Sequence, residues 1–152
     1  MGCDVRLLAA PFDPAAQTAA FASAHEAAGG IASFLGQVRT GASNSGQVEA
    51  LELRHYAPLT LPGMQALAGQ AMLRWPLDGL LIIHRHGVML PGEPIVLVAA
   101  AARHRHDAFA AAEFAMDHLK GESWFWKREK AGGEWHWVEP RQQDFADLAR
   151  WQ

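Results

Sequence analysis

Residues 94–138 read PIVLVAAAARHRHDAFAAAEFAMDHLKGESWFWKREKAGGEWHWV, and this stretch decides the fold class. It opens with a run of nine apolar residues, Pro94 to Ala102, too short for a bilayer and suited to a central strand. A cationic step, Arg103-His104-Arg105-His106, follows at once. Asp107 can then cap a helix whose apolar positions, Phe109, Ala112, Met116 and Leu119, repeat at 3-4-3 spacing and form one stripe. Gly121 stands where a left-handed residue would stop that helix. Trp124 to Arg128 has strand-type residues, and Gly132-Gly133 allows a hairpin into Trp135 to Val138. Alternation puts Trp124 and Trp126 on one face and Phe125 and Lys127 on the other.

The same stretch holds the main chemical clue. The chain has 13 Lys plus Arg, and its three lysines, Lys120, Lys127 and Lys130, all fall here. An amine can lose its proton and act as base or nucleophile, whereas a guanidinium cannot. A chain reversal after Gly121 brings Lys127 back beside Lys120, and two close ammonium groups lower the pKa of at least one. The alternative from composition is a solvated Lys-Arg-Glu-Lys face.

Outward from this core, Val5 to Ala10 reads as a strand. Asp13-Pro14 starts an Ala-rich helix running to about Ala28 and ended by Gly29-Gly30. Ile31 to Val38 is a strand with Arg39 at its end, and Thr40 to Gly46 (TGASNSG) is a loop. Val48 to Tyr56 is a strand with Leu51, Leu53 and His55 on one face. Thr60 and Pro62 start a core helix with the stripe Met64, Leu67, Ala68, Ala71, Met72 and Trp75. Leu80 to Ile83 leads to His84-Arg85-His86-Gly87, and the tail from Arg141 reads as a short amphipathic helix through Phe145, Leu148 and Trp151. Strands and helices interleave without strict alternation, which is an α+β pattern in one domain spanning residues 1–152.

Totals narrow the function. The net charge of −3 argues against a general nucleic-acid binder while permitting a local basic pocket. One cysteine, Cys3, excludes an intramolecular disulfide framework. There is no signal-peptide pattern and no bilayer-length apolar run, so the cytosol is the default compartment. Arg39 after one strand, and His104-Arg105 between a strand and a helix, suit binding of phosphate or carboxylate; surface ion pairing is the plainer alternative. Two His-x-His pairs, His84/His86 and His104/His106, raise a rival from another class, a metal-dependent hydrolase or oxygenase. The interleaved arginines and the lack of a nearby acidic ligand weigh against it. A second rival is a binding module using its tryptophans as stacking platforms.

FLGQVR ending at Arg39, then LELRHY, RWPL, IIHRHG with PGE after it, HR before the helix, MDHLK, FWKRE and WVE together resemble the catalytic (large) subunit family of molybdopterin synthase, from about Gly30 to Glu139. The chain departs from the family pattern in ARHR before the helix, in Trp124 where a proline is expected and in Arg54 where a Glu is expected. The resemblance implies an α/β-hammerhead fold with an additional antiparallel β subdomain, and a homodimer in which each chain binds a small ubiquitin-like sulfur-carrier subunit ending in Gly-Gly. It implies transfer of sulfur from that subunit's C-terminal thiocarboxylate to cyclic pyranopterin monophosphate, forming the dithiolene of molybdopterin, with no metal or cofactor. By motif position it implies Lys120 and Lys127 as catalytic lysines. Gln37, Val38, Arg39, His104, Arg105 and Lys127-Arg128-Glu129 line the substrate pocket with them, and the His-Arg pair reaches the site from the neighbouring protomer.

Overall fold

The computed structural model describes residues 2–43 and 46–152. Its first sheet has four strands in the order β1 (Cys3–Leu8), β5 (Leu77–Arg85), β7 (Pro94–Ala102), β2 (Gly30–Gln37). β1 runs parallel to β5, and the other pairings are antiparallel. The apolar run Pro94–Ala102 is a strand over the length expected. It lies between two neighbours, and every residue from Val96 to Ala102 is buried. A strand covered on both faces needs a continuous apolar sequence, which is what this segment has.

Two helices cover one face of that sheet, α2 (Ala57–Arg74) and α3 (Arg105–Gly121). The α2 stripe is as expected, with Met64, Leu67, Ala68 and Ala71 buried and Met72 and Trp75 packed against the core. The helix starts at Ala57, earlier than Thr60. Pro58 sits in its first turn, and the Tyr56 carbonyl accepts from the N–H groups of Leu59 and Thr60. Thr60 is buried and donates its hydroxyl to the Trp124 carbonyl, 2.9 Å away. On the other face, α1 (Pro14–Ala24) covers Leu81, Ile83 and Leu97 with Phe21. Asp13 caps it as expected, accepting from the N–H groups of Ala15 and Ala16. It ends at His25 and not near Ala28, because the His25 ring turns back to the Phe21 carbonyl and fills the space beside Gly79.

α3 differs from expectation at both ends and on its buried face. His104 is the N-cap residue, and Asp107 lies in the first turn, where its charge suits the helix dipole. The core-facing residues are Ala108, Ala111, Ala112, Ala115, Leu119 and Phe114, while Phe109 is 63% exposed. Alanines let the helix approach the sheet closely; of the expected stripe Ala112 and Leu119 are buried and Met116 packs against the core, and Phe109 alone lies outside it. Gly121 is the last helical residue, and the left-handed residue is Ser123 (φ 60°). Gly121 is small for another reason: a Cβ there would lie 2.8 Å from Leu148 Cβ.

That contact belongs to α4 (Gln142–Ala149), which packs on α3. Trp151 behind it donates its indole N–H to Asp117 (2.7 Å), packs edge-on to Trp75 and Phe114, and accepts at its carbonyl from Arg74 (3.0 Å). Phe145, expected on the buried face, is 47% exposed.

The second sheet runs β3 (Ala42–Ser43), β4 (Gly46–His55), β8 (Phe125–Ala131), β9 (Glu134–Val138), with β6 (Gly87–Met89) also on β4. The expected loop at Thr40–Gly46 therefore contains a strand pair; Asn44 and Ser45 of it lie outside the described residues. Gly132 and Gly133 both have positive φ, as a tight hairpin turn between β8 and β9 requires. Trp124 lies just before β8 and is buried against α2, where a Cβ on Gly63 would be 2.6 Å from its indole. Trp126 is 53% exposed, so the two tryptophans do not share a surface. One face of this sheet, with Leu51, Leu53 and Phe125, closes over Val38, Met89 and Ile95.

Gly121→Ala should lower unfolding free energy by about 1–3 kcal/mol, the usual cost of forcing atoms into a packed contact. Gly69→Ala, in α2 with nothing within 4 Å of the added Cβ, should raise it by roughly 0.5–1 kcal/mol. Urea titration of the two variants checks both signs.

Candidate functional site

The two sheets and the end of α3 meet at one corner. Lys120 is in the last turn of α3, which delivers it there whatever its side chain does. Lys127 is the third residue of β8, on the same face as Phe125 and Glu129 and therefore on the side that closes over Val38. Arg39 follows the buried Val38. The end of β2 is fixed by Val38 N–H donating to the Glu93 carbonyl (3.0 Å) and Gly92 N–H donating to the Val38 carbonyl (2.8 Å).

Desolvation lowers the pKa of the Lys120 amine, and the Lys127 charge lowers it further. Asp144 acts against this, while Arg141 and Arg39 add to it. The side chain still meets solvent, so part of the effect is screened. The direction is the one expected from a lysine pair: an amine held nearer neutrality than a free lysine. Lys127 has an acidic neighbour, Glu129, at 3.8 Å.

The corner thus gathers Lys120, Lys127, Arg39 and Glu129, with Gln37 and Val38 at the end of β2 leading into it. It does not gather His104 and Arg105. Gly30 pairs with Ala102 at one end of the β2–β7 ladder and Gln37 with Pro94 at the other, so Arg39 and His104 are separated by the length of the strands, about 25 Å. From Arg105 to Lys120 along α3 is also roughly 22 Å. Within one chain the expected pocket is therefore split.

Arg128 is also elsewhere as a side chain. It alternates to the opposite face of β8, where it pairs with Glu52 and stacks over Trp135 at 4.5 Å. Sequence reasoning missed Asp144 and Arg141. The tail reads as amphipathic, yet nothing in it announces that its first turn returns to Lys120.

The His-x-His pairs do not form a metal site. The His84 ring is buried, flat against Phe125 (4.1 Å, 15°), and its Nδ1 lies 2.8 Å from the Arg85 carbonyl. His86 packs on His55 instead (4.4 Å). His104 and His106 straddle the start of α3 and are exposed. Among the described residues no three His, Cys, Asp or Glu side chains converge on a point.

Burial pushes His84 down to about 4; the Arg85 carbonyl opposes this, and the charges of Lys120 and His86 add to it. In the unfolded chain the ring takes up its proton near 6.5, so between about 6.5 and 4 the unfolded state binds more protons than the native one. His84 therefore contributes stability that is whole above pH 6.5 and falls by about 3 kcal/mol as pH drops to about 4. Guanidinium titrations at pH 7, 5.5 and 4.5 should show this loss in the wild type, with a flatter profile in His84→Phe.

The family model described as MoaE protein matches residues 7–122. The molybdopterin synthase catalytic subunit of Cereibacter sphaeroides is 46% identical over 147 residues, covering 97% of this chain and 99% of that protein. The structure of the molybdopterin biosynthesis MoaE protein from Burkholderia ambifaria superposes with a TM-score of 0.80 at 41% identity, over 98% of this chain and 97% of that one. A chain in the protein-protein complex of subunits 1 and 2 of the molybdopterin-converting factor from Helicobacter pylori shares the fold at 18% identity (TM-score 0.76, covering 90% and 91%).

Proposed function

The chain belongs to the MoaE family of molybdopterin synthase catalytic subunits, sulfur-transferring enzymes of molybdenum cofactor biosynthesis, and from that premise we propose how its residues divide the work. The substrate is cyclic pyranopterin monophosphate. The sulfur donor is the thiocarboxylated Gly-Gly terminus of a small ubiquitin-like subunit, and the compartment is the cytoplasm. No helix among the described residues is long and apolar enough to cross a membrane. The observation that carries the assignment of roles is the meeting of Lys120, Lys127 and Arg39 at one corner, with the Lys120 pKa lowered by desolvation first and by Lys127 next.

Lys120 is the reacting amine: it polarises the thiocarboxylate, moves protons, or takes the acyl end when sulfur leaves. Lys127 supplies the second amine and the charge that keeps Lys120 poised. Arg39 holds the phosphate through charge-assisted hydrogen bonds, and Gln37, Val38 and the Lys127–Glu129 backbone line the pocket. No protein-bound metal or cofactor enters the scheme.

His104 and Arg105 join the pocket from a second copy of the chain. Their separation from Lys120 within one chain supports this, and so does the surface between them. β2 is a free edge of the first sheet, and Ile31, Phe34 and Leu35 on it are partly exposed beside Phe109 of α3. An apolar edge of this kind invites a partner. If two β2 edges meet antiparallel about a two-fold axis, the end of β2 carrying Arg39 lies beside the start of the partner's β2. His104 and Arg105 emerge there.

Two experiments test the scheme. Lys120→Arg keeps the charge but removes the titratable amine, and it should lose on the order of 10²–10⁴-fold in turnover, with the small subunit still bound in calorimetry. Near-wild-type turnover would return Lys120 to the role of a surface charge. In the second, Arg105→Ala and Lys120→Ala homodimers, each inactive, are mixed under subunit exchange. Activity should reappear, since one of the two sites in a mixed dimer has both intact contributors. Confirmed exchange with no activity would put the whole site within one chain.

A further inference from the structure

The β2–β7 ladder becomes irregular just before Arg39. Its register shifts between Gly36 and Gln37, and Gln37 lies opposite Pro94, which has no N–H to offer. Val38 is held instead by the turn that leads into β7. Its N–H donates to the Glu93 carbonyl and its carbonyl accepts from the Gly92 N–H, so residues 90–93 fix both backbone polar groups of the residue before Arg39. The turn has Pro91 at its second position and Gly92, with φ 88°, at its third. Glu93 N–H closes it by donating to the Leu90 carbonyl (3.0 Å), and the Glu93 carboxylate closes it again by accepting from the Leu90 N–H.

Against this turn stands Arg85, the last residue of β5, a buried cation that the division of labour above does not use. Its Nη1 donates to the Glu93 carboxylate (3.5 Å) and its Nη2 to the Ala9 carbonyl just past β1 (3.5 Å), while Nε is buried with no partner among the described residues. As a source of stability this is poor: the bonds are long, one N–H is unpaired, and taking a guanidinium out of water is costly. As a geometric device it is well placed. In the sheet order β1-β5-β7-β2, Arg85 ties the ends of β1 and β5 to the start of β7, and the Glu93 carbonyl carries the connection to the end of β2. One ion pair thus spans all four strands on the side of the sheet where Arg39 leaves it.

We propose that Arg85 and Glu93 are positioning residues for the substrate pocket: their ion pair braces the 90–93 turn, and the turn sets the course of the chain through Val38 into Arg39. The effect on turnover rests on the reading of Arg39 as the phosphate-binding residue, but the brace is measured on resting protein. In Glu93→Ala, amide hydrogen exchange at Val38 and Gly92 should quicken roughly ten-fold, about the worth of one charge-assisted hydrogen bond. Exchange at Val98, in the middle of β7, should stay as in the wild type, which marks the opening as local. Glu93→Gln keeps one acceptor oxygen where the carboxylate uses two, so it should fall between.

In synthase assays with the small subunit and pterin substrate, Glu93→Ala should raise KM for the pterin about 3–10-fold with little change in kcat, since a misplaced Arg39 loses part of a binding contact. Combined with Arg39→Ala, it should add nothing to the KM of Arg39→Ala alone, because the brace acts through that side chain. Thermal melts confirm that the variants fold; if Glu93→Ala does not, Arg85→Met with Glu93→Gln removes the ion pair without stranding a buried charge. Val38 and Gly92 exchange that is unmoved in a folded variant overturns the proposal, and so does a KM effect that persists in full when Arg39 is absent. An Arg39→Ala enzyme with ordinary KM would overturn the phosphate role of Arg39, and it is seen without any change at Glu93.

Discussion

Burial of β7 on both faces and both edges is the constraint from which the rest of the molecule follows. With β5 and β2 paired to its sides, its alternate residues must be apolar toward α1 on one face and toward α2 and α3 on the other. The chain leaves it at Ala102 and turns into α3, whose alanine face runs back along the sheet. The cations at the turn and the lysine at the helix end are then one strand length apart. A rigid strand–helix pair cannot bend to close that gap. A pocket needing both groups has to be built from two chains, and the free apolar edge of β2 runs along the same distance.

The lysine corner is electrostatically unfavourable by itself. Lys120 faces Lys127, Arg39 and Arg141 with Asp144 as a counter-charge and Glu129 beside Lys127; desolvation first, and this repulsion after it, lowers the Lys120 pKa. Packing holds the groups together. Leu148 closes on Gly121, Trp151 is tied to Asp117 and Arg74, and Thr60 is tied to the Trp124 carbonyl just before β8. Stability supplied by these apolar and hydrogen-bonded contacts keeps cations close, and any anion entering the corner would relieve their repulsion. The arrangement is thus preorganised for anions before any arrive.

The sequence made legible those parts that depend on local pattern. Pro94–Ala102 was readable to the residue because an unbroken apolar run is bounded by a turn before it and by charges after it. The Gly132-Gly133 hairpin was readable because two successive positive φ values require residues of that kind. Features set by distant contacts were not readable. Gly121 looks like a helix stop, but its size is demanded by Leu148, 27 positions away. Asp107 looks like a cap, but the backbone turn at His104 begins the helix first. Arg128 shares a motif with Lys127 and Glu129, yet alternation along β8 sends it to the other face and to Glu52. The candidate lysines and Arg39 were legible as residues; that they meet depends on where the second sheet docks, which no local pattern encodes.

The distribution of cations has a physical reason on the side of arginine as well. Arg54, Arg74, Arg128 and Arg150 lie over tryptophan rings at 4.5–5.8 Å. Arg6, Arg85 and Arg141 pair with carboxylates, Arg85 while buried. A planar, weakly hydrated guanidinium stacks and forks in ways a compact ammonium does not, so these positions favour Arg. Remove them and what remains is a small group of cations with no stacking task. The lysines at 120 and 127 are in that group, and they meet at one corner. The clustering of lysine in the sequence is therefore partly the complement of a structural rule: where tryptophan rings and buried carboxylate pairs suit a guanidinium the chain has Arg.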